Sequence, residues 1–121
     1  MSLPAPPRRG EVFLADLEPV VGSEQSGRRP FLVLSIKQMN SAPADLAIGL
    51  PMTTTDRSSE LHVRIDPAES GLSRVSYAMP EMVRSVSTLR FRGRVGRVPI
   101  EAVETASARA GFLLGLGRTR F

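Results

Sequence analysis

The chain has no cysteine and no tryptophan, and only one histidine (His62), one tyrosine (Tyr77) and one lysine (Lys37). Without thiols there is no disulfide framework, zinc ribbon, thiol nucleophile or iron–sulfur site. A single imidazole excludes a His-rich metal site and a pair of catalytic histidines. The missing tryptophan and lone tyrosine leave little aromatic surface for stacking single strands. Long apolar runs are absent too: the longest uncharged stretch is Leu46–Thr55, far short of the ~20 apolar residues of a membrane-spanning helix. The first nine residues, from Met1 to Arg9, carry no apolar signal core, so the expectation is a cytoplasmic protein with no membrane partner. An enzyme built from this inventory must work with arginine, hydroxyls and carboxylates.

What is present suits one small domain. The 121 residues are 41% hydrophobic and 23% charged, close to an ordinary globular composition. Sixteen basic residues, all but Lys37 arginine, outweigh twelve acidic ones, for a net charge of +4. Residues 1–9, with three prolines, read as a flexible tail, residues 10–117 as the domain, and residues 118–121 as a second short tail. Glu11–Leu17 alternates with apolar groups on both faces and Phe31–Ile36 is a continuous apolar run, so both read as strands. Between them Val20–Arg29 is a long polar loop. Gln38–Ala44 reads as a loop, Leu46–Thr53 as a strand, and Thr54–Glu60 as a turn. Leu61–Ile65 follows as a strand with Leu61, Val63 and Ile65 inward and His62 and Arg64 outward. Pro67–Ser73 is turn-like, Val75–Met79 and Met82–Val86 are short strands interrupted by Pro80, and Arg90–Val98 alternates arginines with smaller residues. Only the last segment has helical period, through Val103, Ala106, Ser107, Ala110, Leu113 and Leu114, with Pro99 suited to its first turn. Six or seven short strands followed by one helix point to an α+β, mainly β, SH3-like barrel with a C-terminal helix.

Four groups of residues could carry chemistry, and each has a plainer structural reading. Glu24, Gln25, Arg28 and Arg29 cluster where the long loop enters an apolar strand; a guanidinium fork there matches phosphate oxygens, or equally serves a solvated turn. Thr53, Thr54 and Thr55 end a strand, where hydroxyls bind phosphate or satisfy turns. Arg90, Arg92, Arg94 and Arg97 form either a nucleic-acid footprint or a charge-guarded edge strand. Glu81 and Arg84 either pair with each other or leave Arg84 for a phosphate. His62, with nothing nearby in sequence to orient it, reads as structural or surface.

These segments, in this order, resemble the MazF/PemK family of toxin–antitoxin endoribonucleases over residues 9–116. The resemblance rests on Arg9-Gly10-Glu11-Val12-Phe13, on Gly22-Ser23-Glu24-Gln25, and on Arg29-Pro30 followed by Phe31–Leu34. Pro51-Met52-Thr53-Thr54, His62-Val63-Arg64-Ile65, Glu81-Met82-Val83-Arg84-Ser85 and the closing Gly115-Leu116-Gly117 extend it. The resemblance implies a homodimer that cuts single-stranded RNA without metal or cofactor, by attack of a ribose 2′-hydroxyl. It places the family's key arginine at Arg29 and key threonine at Thr53. Beside these, Glu24 is the candidate acceptor of the 2′-hydroxyl proton, and Gln25, Arg28, Thr54, Glu81 and Arg84 are the candidate RNA contacts. An acidic MazE-like antitoxin is the implied protein partner.

Two residues depart from the family pattern. Met82 stands where a glutamine is common, and Met79 stands where one branch has an arginine paired with the acid at Glu81. Two other activities suit the same fold: a DNA gyrase poison of the CcdB type, and a silent nucleic-acid-binding module. The absence of tryptophan near the C-terminus argues against the first. Retention of Arg29 and Thr53 argues against the second.

Overall fold

The first strand is apolar on both sides because both sides are covered. In the computed structural model, which describes residues 5–17, 27–41 and 43–117, strand β1 (Glu11–Asp16) sends Val12 into one core cluster. Phe13 and Ala15, followed by Leu17, enter another. The chain continues through β2 (Arg28–Val33), a single helical turn α1 (Lys37–Asn40), β3 (Leu46–Thr53), β4 (Val63–Ile65), a second single turn α2 (Pro67–Ser70) and β5 (Ser76–Ala78). A 3-10 turn at Pro80–Met82 leads to β6 (Arg84–Ser87), another at Thr88–Arg90 leads to β7 (Phe91–Arg97), and helix α3 (Ile100–Leu113) follows.

The strands pair antiparallel in the order β4-β5-β3-β2-β1-β7, with β6 also on β3. Strand β3 is the hub. One edge holds β2, while the other is shared: Leu46–Gly49 pairs with β6, and Met52 and Thr53 pair with β5. A strand that serves three neighbours must bend, and Gly49 sits at the bend. A Cβ there would lie 2.0 Å from the Leu32 carbonyl oxygen, so no other residue fits without moving β2. The result is the expected SH3-like barrel, a curled sheet with α3 packed across it. Val103 and Ala106 of α3 enter the cluster formed by Val12, Leu32, Leu50 and Met52. Each large aliphatic group buried there contributes about 1.5–3 kcal/mol of transfer free energy. Among the described residues no helix is long and apolar enough to cross a membrane.

Several sequence expectations shift. Strand β2 begins at Arg28 and ends at Val33, so Ile36 is 57% exposed rather than part of a buried run. The Gln38–Ala44 and Pro67–Ser73 segments each contain a helical turn; the second is closed by Gly71 in the left-handed region (φ 82°). The ordering expected near Gly10 begins earlier. Pro7 is buried and its carbonyl accepts from Asn40 Nδ2 at 2.8 Å. Arg9 donates to the Leu34 carbonyl and to Ser107 Oγ, tying β2 to α3. Leu113 and Leu114 continue the helical period but lie 43% and 63% exposed, past the edge of the sheet.

Candidate active site

Antiparallel register places paired side chains on one face of a sheet, and the ladders draw a row across the barrel. Ala15 of β1 lies opposite Arg29 of β2. Between β2 and β3, Phe31 lies opposite Pro51; continued by two residues, the same register brings Arg29 level with Thr53. Thr53 lies opposite Tyr77 of β5, and Tyr77 opposite Arg64 of β4. The adjacent row, Met52, Ala78 and Val63, enters the core under α3. Strand alternation therefore turns the Arg29–Thr53–Tyr77–Arg64 row away from that core. Phe31 and Ala15, both buried in the other cluster, back its Arg29 end.

Thr53 is buried, and its Oγ1 accepts from the Thr55 backbone N–H at 3.1 Å. That bond uses an acceptor lone pair and leaves the hydroxyl proton to donate. Thr54 is exposed beside it. Arg29 is half-buried at the start of β2, with Pro30 holding the backbone behind it. Glu24 and Gln25 lie outside the described residues.

Arg28 behaves differently. It lies opposite Asp16, and its Nε stands 3.1 Å from Asp16 Oδ1. Arg92 Nε approaches Asp16 Oδ2 at 2.8 Å, and Arg90 donates to the Asp16 carbonyl oxygen. The hydrogen bond from Arg28, with help from Arg92, holds the Asp16 carboxyl below its ordinary value. Arg94 pairs with Glu11 at 2.7 Å. Two of the four arginines in the basic stripe read from β7 thus pair with β1 carboxylates, and β7 is an edge strand of the sheet.

At the other end of the row, Glu81 does not pair with Arg84. Its Oε2 lies 2.6 Å from His62 Nε2. His62 is buried, not outward as its alternation suggested, because β4 begins only at Val63 and the two-residue pattern does not extend back to it. Arg84 starts β6 level with Gly49, four residues before Thr53 on β3. The register therefore leaves Arg84 outside the Arg29–Thr53 row. Sequence reading missed Tyr77 and Arg64 as members of this row. Arg64 is exposed, and its hydrogen bond to Asp66 raises its pKa further. The only available signal was their place in two short predicted strands. Among the described residues no group of three or more His, Asp or Glu side chains could hold a metal ion.

Comparison with known proteins agrees with the fold. The endoribonuclease EndoA of Bacillus subtilis is 33% identical over 99 residues, covering 80% of this chain and 84% of its own. The crystal structure of MazF from Deinococcus radiodurans superposes with a TM-score of 0.81 at 28% identity, over 92% of this chain and 98% of that one. A MazE–MazF structure from the same organism gives a TM-score of 0.74 at 28% identity, over 92% and 97%. The family model of PemK-like, MazF-like toxins of type II toxin–antitoxin systems matches residues 8–113, and with nearly the whole domain inside that match, the chain belongs to this toxin family.

Proposed function

We propose that this chain is an endoribonuclease that cuts single-stranded RNA at short sequences without a metal ion. The observation that carries the reading is the alignment of Arg29 with Thr53 in one cross-strand row turned away from the core under α3. A fixed-charge fork and a hydroxyl donor side by side fit a phosphodiester. RNA brings its own nucleophile, so the protein need only position the phosphate and stabilise charge. The ribose 2′-oxygen attacks the adjacent phosphorus, and its proton passes to Glu24. The bond from phosphorus to the 5′-oxygen breaks, that oxygen takes up a proton from water, and Glu24 returns its own to the solvent. The products are a 2′,3′-cyclic phosphate and a 5′-hydroxyl. Arg29 binds the non-bridging oxygens as negative charge grows, and Thr53 donates a hydrogen bond to one of them. Arginine stays protonated throughout because its pKa is above about 12. Gln25, Arg28, Thr54, Glu81 and Arg84 contact the RNA on either side.

The partner reading follows the same likeness. The Deinococcus toxin fold is solved with MazE, and the +4 charge of this chain suits an acidic antitoxin segment laid over the RNA site. The working form is a homodimer in the cytoplasm. The deciding experiment incubates the purified protein with single-stranded RNA in EDTA and maps the ends. Cut products carrying cyclic phosphates support the reading. An Arg29→Ala protein that folds and still cuts at the wild-type rate overturns the site.

A further inference from the structure

The sole histidine is enclosed and half satisfied. The His62 side chain is 4% exposed, its Nε2 stands 2.6 Å from Glu81 Oε2, and its Nδ1 is buried with no hydrogen-bond partner among the described residues. An N–H at Nδ1 would be a buried donor without an acceptor, so the proton belongs on Nε2, donating to the carboxylate. The backbone of the same residue is gripped from α3: Arg109 donates to the His62 carbonyl at 2.8 Å and to that of Leu61 at 3.3 Å. The turn that carries Glu81 hangs from β3. Met79 N–H donates to Pro51 O at 3.1 Å, two residues before Thr53, and Met82 N–H donates to Met79 O at 2.9 Å. His62 thus joins α3, β4 and the Pro80–Met82 turn beside the end of β3.

We propose that His62 is a positioning residue for RNA recognition: as the Nε2–H tautomer it holds Glu81 by Oε2 and leaves Oε1 to accept from an N–H donor on a substrate base. The inference rests on the ribonuclease reading above. His62 itself touches no RNA. A carboxylate only accepts, so Glu81 favours a base edge that offers an amino or imino hydrogen. A carboxylate already locked in one rotamer loses less freedom on binding than a swinging one. His62 therefore acts on affinity and base choice rather than on the chemical step.

The single imidazole makes the tautomer directly readable. A long-range proton–nitrogen spectrum of the tag-free protein near neutral pH shows one imidazole, and the expectation is a protonated Nε2 with a bare Nδ1. Two isosteric variants then separate the bond from mere packing. His62→Gln keeps an N–H donor near the Nε2 position, whereas the amide of His62→Asn reaches only as far as Nδ1. With both folded by thermal melts, His62→Asn raises KM for cognate RNA by about tenfold and leaves kcat within about threefold, while His62→Gln restores KM. Adding Glu81→Gln to His62→Asn costs nothing beyond the worse single variant. A protonated Nδ1, an unchanged KM in His62→Asn, or equal losses in both variants overturns the proposal. Wild-type protein that cuts no RNA defeats the ribonuclease reading itself, an outcome visible before any variant is made.

Discussion

Arg28 and Arg29 are neighbours in the chain and opposites in the fold. Strand alternation sends them to different faces of β2. Arg28 meets the Asp16 carboxylate, which Arg92 also grips, so its charge is shared with the end of β1. Arg29 faces the small side chain of Ala15 and lies level with Thr53. In a chain with sixteen basic residues, a count of positive charge does not separate the two. Which carboxylate or hydroxyl stands across the ladder does. Arg92 and Arg94 likewise answer to β1 carboxylates across the β1–β7 ladder, whereas Arg64 pairs locally with Asp66, two residues on.

The contrast can be broken most sharply at Arg29. Arg29→Ala should lower the cleavage rate about a thousandfold or more, by analogy with removing a principal donor to a developing oxyanion, with circular dichroism unchanged. Single-turnover cutting of a short RNA measures it, and a loss below tenfold would put the site elsewhere. Thr53→Ala should cost about a hundredfold, since one neutral hydrogen bond to the phosphate is lost, whereas Thr53→Ser should recover most of the rate. A Thr53→Ser protein as slow as the alanine variant would mean that the methyl group, not the hydroxyl, matters.

Arg28→Ala should be mild. Its side chain is 55% exposed and paired with Asp16, and exposed ion pairs are worth little. A change of about threefold in KM and none in kcat is expected, because an exposed cation contributes mainly to phosphate affinity. A loss approaching that of Arg29→Ala would erase the distinction drawn between the two faces. The smallest effect should come from Asp16→Asn and appear in acid. The Asp16 carboxyl is held low by the Arg28 hydrogen bond first, and by Arg92. A depressed carboxyl supports the folded state above its unfolded pKa of about 3.9 and loses that support as pH falls through the folded value. Thermal melts between about pH 5 and about pH 3 should therefore fall less steeply in Asp16→Asn than in wild type. Parallel slopes would show that the arginine cluster does not sense this carboxylate.

Much of the architecture was legible before the structure. The boundaries of β3 were read as Leu46–Thr53 and stand so, because an uncharged, mostly apolar run bounded by turn formers reads as a strand even with Gly49 and Pro51 inside it. The two apolar faces of β1 correctly implied cover on both sides. The alternation around His62 misled for a local reason. A two-residue period holds only where the backbone is extended, and β4 starts one residue later. The Glu81 partner was equally hidden, since Arg84 is near it in sequence and His62 is 19 residues away.

Composition alone limits any enzyme here to a chemistry of arginine, hydroxyl and carboxylate, and the likeness of its motifs to the MazF/PemK family marked Arg29 and Thr53. Those conclusions need only residue identity and local order. The tertiary structure decided which arginines meet β1 carboxylates, that Thr53 lies opposite Tyr77, and that Glu81 answers to His62. The first two depend on register between strands distant in the chain, where a shift of one residue would turn every side chain to the other face; the third depends on the Pro80–Met82 turn meeting the residue just before β4.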